Sequence, residues 1–341
     1  IKHCTMINGH GDDLYKYAEI KYNFSSNVCN KFDHSKLFEY MRNQMDGLTS
    51  YPEPQPCTLE KVIAESNGNE ADEVCATNGA TEAIYLIAQA FKNETSAVLN
   101  PTFSEYADAC RMHSHRVEAV YSLDNLPTEA RLVWLCNPNN PTGTVIPYDQ
   151  LTECISMNKD KIFIIDESYS AFTEKKTISH EEAPSFKNVI LISSMTKRFA
   201  VPGLRIGYIT TSEELAERIR RLRMPWPIGH LTSAAAMYLI KHKAEYKIDS
   251  EGLINERRRV ASELESMGCV TTWPSDTHIL LCKLRMGKSS ALKEYLAEKH
   301  KILIRDASNF NGLDDTFFRI AVQGVEEDNI LLDAIEEWLM E

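Results

Sequence analysis

Over the first two thirds of the chain, short apolar runs alternate with segments whose apolar residues fall three and four apart. The runs are residues 74–77, 97–99, 132–136, 162–165, 189–193 and 206–209. They are too short for helices, and several are rich in Val, Ile and Phe. They predict strands, those with no polar alternate being buried on both faces. The segments 81–91, 105–112 and 148–157 carry helical spacing between them. Strands alternating with helices predict an α/β architecture, a mostly parallel sheet with helices on both faces. The last third changes character. Residues 212–223 and 231–248 read as helices, the second leading into a long charged helix around Glu256-Arg257-Arg258-Arg259. Shorter units follow at 277–283, 290–299, 302–305 and 317–321, with a final helix near 327–339, which predicts a small α+β domain. The expected division is a large domain over 31–240 and a small domain over 241–341. Residues 1–30, irregular in pattern, are expected to pack with the small domain.

Composition narrows the partners. A chain of 341 residues suits one large and one smaller core. With 43% hydrophobic and 25% charged residues it reads as an ordinary soluble protein. A net charge of −12 argues against nucleic acid and anionic membranes as partners. It leaves room for an anionic small molecule held by a local arginine cluster. The nine cysteines are odd in number and include no CxxC pair, so neither a disulfide framework nor a zinc site is expected. His180-Glu181-Glu182 lacks the second histidine of a zinc helix. No metal is expected. No apolar run approaches a membrane span of about 20 residues and no leader is evident, so the expected location is the cytoplasm.

The chemistry concentrates in Ser193-Ser194-Met195-Thr196-Lys197-Arg198-Phe199-Ala200-Val201-Pro202-Gly203-Leu204-Arg205. A lysine amine can bond to an aldehyde cofactor. Hydroxyls at Ser194 and Thr196, with a fixed guanidinium at Arg205, suit the phosphate of such a cofactor. Asp166, at the end of an apolar run and followed by Tyr169, stands where α/β sheets bind ligands. Asn137-Pro138-Asn139-Asn140-Pro141-Thr142-Gly143 reads as a rigid turn. Thr77-Asn78-Gly79-Ala80-Thr81-Glu82 joins a strand to a helix whose free N–H groups suit an anion.

In content and order these segments resemble the class I/II aminotransferases and related fold-type I enzymes dependent on pyridoxal 5′-phosphate. The resemblance implies a large domain with a seven-stranded sheet and a small α+β domain. It makes Lys197 the Schiff-base residue and proton carrier, Asp166 the partner of the ring nitrogen and Tyr169 a hydrogen-bond partner of the ring hydroxyl. Gly79, Ala80, Thr81, Ser194, Thr196 and Arg205 would hold the phosphate, Phe103 would stack on the ring, and Asn140 would contact the ring oxygen and the substrate carboxylate. Tyr51, in Tyr51-Pro52-Glu53-Pro54, would reach the cofactor phosphate of a partner subunit, implying a homodimer with shared sites.

Arg319, in Phe318-Arg319-Ile320-Ala321, matches the family's carboxylate-binding arginine. Further segments resemble the L-threonine O-3-phosphate decarboxylases of cobalamin synthesis, among them Asn23-Phe24-Ser25-Ser26-Asn27, Met224-Pro225-Trp226-Pro227 and Ile304-Arg305-Asp306-Ala307-Ser308-Asn309-Phe310. The histidinol-phosphate aminotransferases share the same cofactor motifs. Departures occur at His10-Gly11-Asp12-Asp13 and Ile228-Gly229-His230. Either likeness implies a small phosphorylated amino acid or amine as substrate. Arg305 is the leading candidate for its phosphate, with His10, Asn27 and Arg198 behind it. A non-enzymatic ligand sensor built on the same fold is the remote alternative.

Overall fold

The protein is described here by a computed structural model covering residues 12–28 and 31–341. The strands in chain order are β1 (Tyr22–Asn23), β2 (Val74–Thr77), β3 (Thr95–Leu99), β4 (Arg116–Val120), β5 (Leu132–Cys136), β6 (Ile162–Asp166), β7 (Val189–Ser194), β8 (Gly207–Thr211), β9 (Val270–Thr272), β10 (Ile279–Leu284), β11 (Ile302–Leu303), β12 (Arg305–Asp306) and β13 (Phe317–Ala321). Seven of them form one sheet in the order β2-β8-β7-β6-β5-β3-β4. All run parallel except β8, which is antiparallel to both its neighbours. The central strands β5, β6 and β7 are buried along their whole length, as the unbroken Ile, Leu and Val runs require.

The edge strands use polar side chains instead. On β2, Glu60 accepts the Ala76 N–H at 2.9 Å, and Arg223 donates to the Ala76 carbonyl at 2.8 Å. Glu60 and Arg223 are themselves paired in the interior. Together they satisfy an edge that would otherwise offer its backbone to another strand. The opposite edge is β4, which the apolar pattern does not reveal. Its exposed Arg116 pairs with the half-buried Glu118 at 2.8 Å, and these charged alternates leave the strand without an apolar run.

The second sheet has the order β12-β13-β10-β9, all antiparallel. Residues 12–28 lie beside it: β1 pairs with β11 in a separate two-stranded sheet, and the Ala321 N–H donates to the Phe24 carbonyl at 2.9 Å. The helix expected over 231–248 is shorter. One helix spans His230–Lys241 and another Ser250–Ser266. Between them Asp249 caps the second helix by accepting the Gly252 N–H at 2.9 Å, a local start signal that outweighs continuous periodicity. A continuous apolar core joins the two sheets, from Trp134 and Tyr106 under the large one to Ile279 and Phe318 in the small one.

Candidate active site

Every parallel strand that carries a motif delivers it at the same end of the large sheet. The turn after β2 holds Gly79, Ala80 and Thr81; those after β3, β5, β6 and β7 hold Phe103, Asn140, Tyr169 and Lys197. Because β8 is antiparallel, its first residue lies at this end too, with Gly207 opposite both Thr77 and Ser194. That brings Arg205 to the other motifs from later in the chain. Gly207 has to be glycine here, since a Cβ would lie 2.5 Å from the Ala80 nitrogen.

One cavity gathers Ala80, Thr81, Phe103, Asn140, Asp166, Tyr169, Ser194, Thr196, Lys197 and Arg205 from the large sheet, and Arg305 and Arg319 from the small one. Asn27 joins them from the amino-terminal segment. Three sequence candidates among the described residues are not in its lining. Arg198 lines a separate cavity with Phe199 and Tyr208. Tyr51 is 87% exposed and lies against Trp226, ring centroids 5.4 Å apart. Gly79 lies under the Arg205 guanidinium, where a Cβ would come within 2.6 Å of Nη2. His10 falls outside the described residues.

The electrostatics follow from burial. The Lys197 amine donates to the Ser26 carbonyl at 2.7 Å and is pushed down to about 8, by desolvation first and then by Arg319. Asp166 accepts from Tyr106 Oη at 2.8 Å, and from the Ser168 N–H at 3.0 Å and its hydroxyl at 2.5 Å. Burial still holds its carboxyl above the usual range, and among the described residues no cation pairs with it. The Tyr169 hydroxyl accepts from Asn27 Nδ2 at 3.0 Å and is raised by burial. Arg319 donates to Asn140 Oδ1 at 2.7 Å and to the Ser25 carbonyl, and desolvation lowers it to about 9. Arg305 donates to Asn309 Oδ1 at 2.7 Å.

The site therefore contains a buried carboxylate with no cationic partner, an amine shifted toward its neutral form, and a buried Thr196 Oγ1 with no hydrogen-bond partner. It also has a glycine-floored cup beneath Arg205. These are the donors and acceptors that a protonated ring nitrogen, an aldehyde and a phosphate would use.

The model of the class I and II aminotransferases matches residues 19–335. The chain belongs to that family. It is an enzyme dependent on pyridoxal 5′-phosphate, and the site's chemistry fits that cofactor. Its fold matches the crystal structure of L-threonine-O-3-phosphate decarboxylase from Porphyromonas gingivalis, with a TM-score of 0.91 and 32% identity over 94% of this chain and 100% of that one. The histidinol-phosphate aminotransferase of Ruminiclostridium cellulolyticum is 27% identical over 316 residues, 88% of this chain and 86% of that protein. The histidinol-phosphate aminotransferase of Sinorhizobium meliloti, solved in complex with pyridoxal-5′-phosphate, shares the fold at a TM-score of 0.84 and 19% identity, covering 94% of this chain and 91% of that one. No helix among the described residues is long and apolar enough to cross a membrane, and none of their acid, histidine or cysteine side chains cluster as a metal site.

The motif spacing missed two residues of this site: Tyr106 supports Asp166, and the Ser26 carbonyl receives the lysine amine. Asn27, a candidate for the substrate phosphate, donates to Tyr169 from the amino-terminal segment. Tyr106 leaves some trace in the sequence, an aromatic on the core face of a helix. The use of a backbone carbonyl at Ser26 leaves none.

Proposed function

We propose that this enzyme acts on a small amino acid or amine bearing a phosphate, and that its reaction is decarboxylation of L-threonine O-3-phosphate. One observation carries the substrate class. Arg305 and Arg319 are directly opposite each other on neighbouring antiparallel strands, and both line the cavity. Like charges facing each other across strands, about 5 Å apart at Cβ, oppose folding. Both are buried, at 8% and 3% exposure. Two anionic groups on one ligand would offset that repulsion, and a phosphorylated amino acid carries both.

In this reading Lys197 binds the cofactor aldehyde and then moves a proton at the reacting carbon. Asp166 holds the proton of the ring nitrogen, Tyr169 bonds the ring hydroxyl, and Phe103 covers the ring. Gly79, Ala80, Thr81, Ser194, Thr196 and Arg205 take the cofactor phosphate. When bound, the cofactor supplies an electron sink for charge developing at the substrate Cα. Arg319 with Asn140 takes the substrate carboxylate, and Arg305 its phosphate. The 32% identity to the decarboxylase supports a reaction of that kind. The exposed Tyr51, with exposed Met45, Leu48, Met224 and Trp226 also in the chain, supports a homodimer in which Tyr51 serves the neighbouring site. The unpaired cysteines of the described residues support a reducing, cytoplasmic setting.

The test is mass spectrometry of L-threonine O-3-phosphate incubated with the loaded enzyme, with and without 2-oxoglutarate. A product lighter by carbon dioxide and formed without any keto acid is expected. Glutamate formed from histidinol phosphate and 2-oxoglutarate, with no such product, would make the enzyme an aminotransferase instead.

A further inference from the structure

The loop that carries Asn140 is fastened to the small sheet at a second place, away from Arg319. The Val145 N–H donates to Asp276 Oδ2 at 2.9 Å, and the Asp276 N–H donates back to the Gly143 carbonyl at 2.9 Å. Gly143 has φ +70°, and a Cβ there would lie 2.1 Å from Ser275 Oγ and 2.9 Å from the Ile279 carbonyl. The loop therefore lies directly against residues 275–279. Two other groups steady that segment from outside. Arg257 donates to the Ser275 carbonyl at 2.7 Å, and Lys175 pairs with Asp276 Oδ1 at 2.8 Å.

Residues 275–279 lead into β10, which pairs with β13, the strand that carries Arg319. The Asn140–Arg319 bond at 2.7 Å thus joins the two sheets at one point, and the Asp276 contacts join the same loop to the same sheet a few residues away. Asn139 anchors the same loop to Pro101 and Thr102 on the large-sheet side, and the Asp276 contacts give it a second attachment to the small sheet that restrains it beyond Asn140.

We propose that Asp276 is a positioning residue: by holding the 143–145 backbone to the start of β10, it fixes Asn140 against Arg319 in the geometry that receives the substrate's carboxylate. The assignment rests on the reading of Asn140 and Arg319 given above. Asp276 touches neither substrate nor cofactor. Its hydrogen bond to Val145 does the positioning. The Lys175 pair, with Lys175 55% exposed, adds little.

The test compares Asp276→Ala, Asp276→Asn and Lys175→Met as loaded enzymes turning over L-threonine O-3-phosphate. Asp276→Ala should raise KM about tenfold or more. Its kcat should stay within about threefold, and the visible absorbance of the lysine-bound cofactor should be unchanged. Asp276→Asn keeps an oxygen for the Val145 N–H and should restore KM to within about threefold of the parent. Lys175→Met should behave like the parent. The proposal is overturned if Asp276→Ala leaves KM unchanged, if Asp276→Asn is as poor as Asp276→Ala, or if kcat and the cofactor absorbance collapse together with KM. Arg319→Met with an unchanged KM would instead overturn the assignment of the carboxylate site, and this proposal with it.

Discussion

The buried amine of Lys197 makes a quantitative claim about the cofactor-free protein. In water a lysine amine titrates near 10.5; burial first, and then the Arg319 guanidinium, bring this one to about 8. At pH 7 roughly 10% of Lys197 is then the free amine, against about 0.03% for an ordinary lysine, a ratio on the order of 300. Only the free amine attacks an aldehyde. The rate at which the stripped protein takes up pyridoxal 5′-phosphate should therefore climb from pH 6 and level off just above pH 8. The same difference bears on stability. The native state holds this proton less tightly than the unfolded chain does, so stability rises with pH between about 8 and 10.5 and carries the full penalty below 8. That penalty is about 3 kcal/mol. Lys197→Met removes it, and also loses the bond to the Ser26 carbonyl, which contributes about 1 kcal/mol. Stripped Lys197→Met should therefore be more stable than its parent by about 2 kcal/mol at pH 7. The advantage should vanish near pH 10 and reverse above it. Stopped-flow uptake against pH and urea unfolding at the two pH values measure both effects. Uptake that rises only near pH 10, together with a Lys197→Met no more stable at pH 7, would refute the buried-amine account.

Three further outcomes follow from the same geometry. Asp166→Asn keeps the shape but removes the carboxylate proposed to partner the ring nitrogen, so kcat should fall on the order of 100-fold while circular dichroism stays unchanged. Gly79→Ala places a Cβ 2.6 Å from the Arg205 guanidinium at φ +79°, and cofactor affinity by equilibrium titration should weaken by about 1–3 kcal/mol. Burial and the neighbouring Glu256 carboxylate raise Asp328. A raised acid stabilises the native state fully below its unfolded value near 3.8, and that stability is lost as pH climbs through the raised native value. Urea midpoints should therefore fall between pH 5 and pH 8, and Glu256→Gln should flatten that slope.

The sequence determined the elements whose cause is local. Runs of Ile, Val and Leu long enough to be buried on both faces made β5, β6 and β7 legible. The spacing of Asn140, Asp166 and Lys197 was legible because each ends or follows such a strand, and parallel strands deliver their ends to one place. The edge strand β4 escaped because the charged Arg116 and Glu118 alternate along it and interrupt any apolar run. The helix break before Ser250 turned on one capping carboxylate, which periodicity does not register. Tertiary structure alone decided three things. The antiparallel setting of β8 returns Arg205 to the site, since strand direction is fixed by sheet pairing. The register that sets Arg305 opposite Arg319 comes from two segments brought together across an antiparallel pair. The lowered value of the Lys197 amine depends on how much water the fold excludes and which cations it gathers, and neither quantity is carried by the residues next to it in the chain.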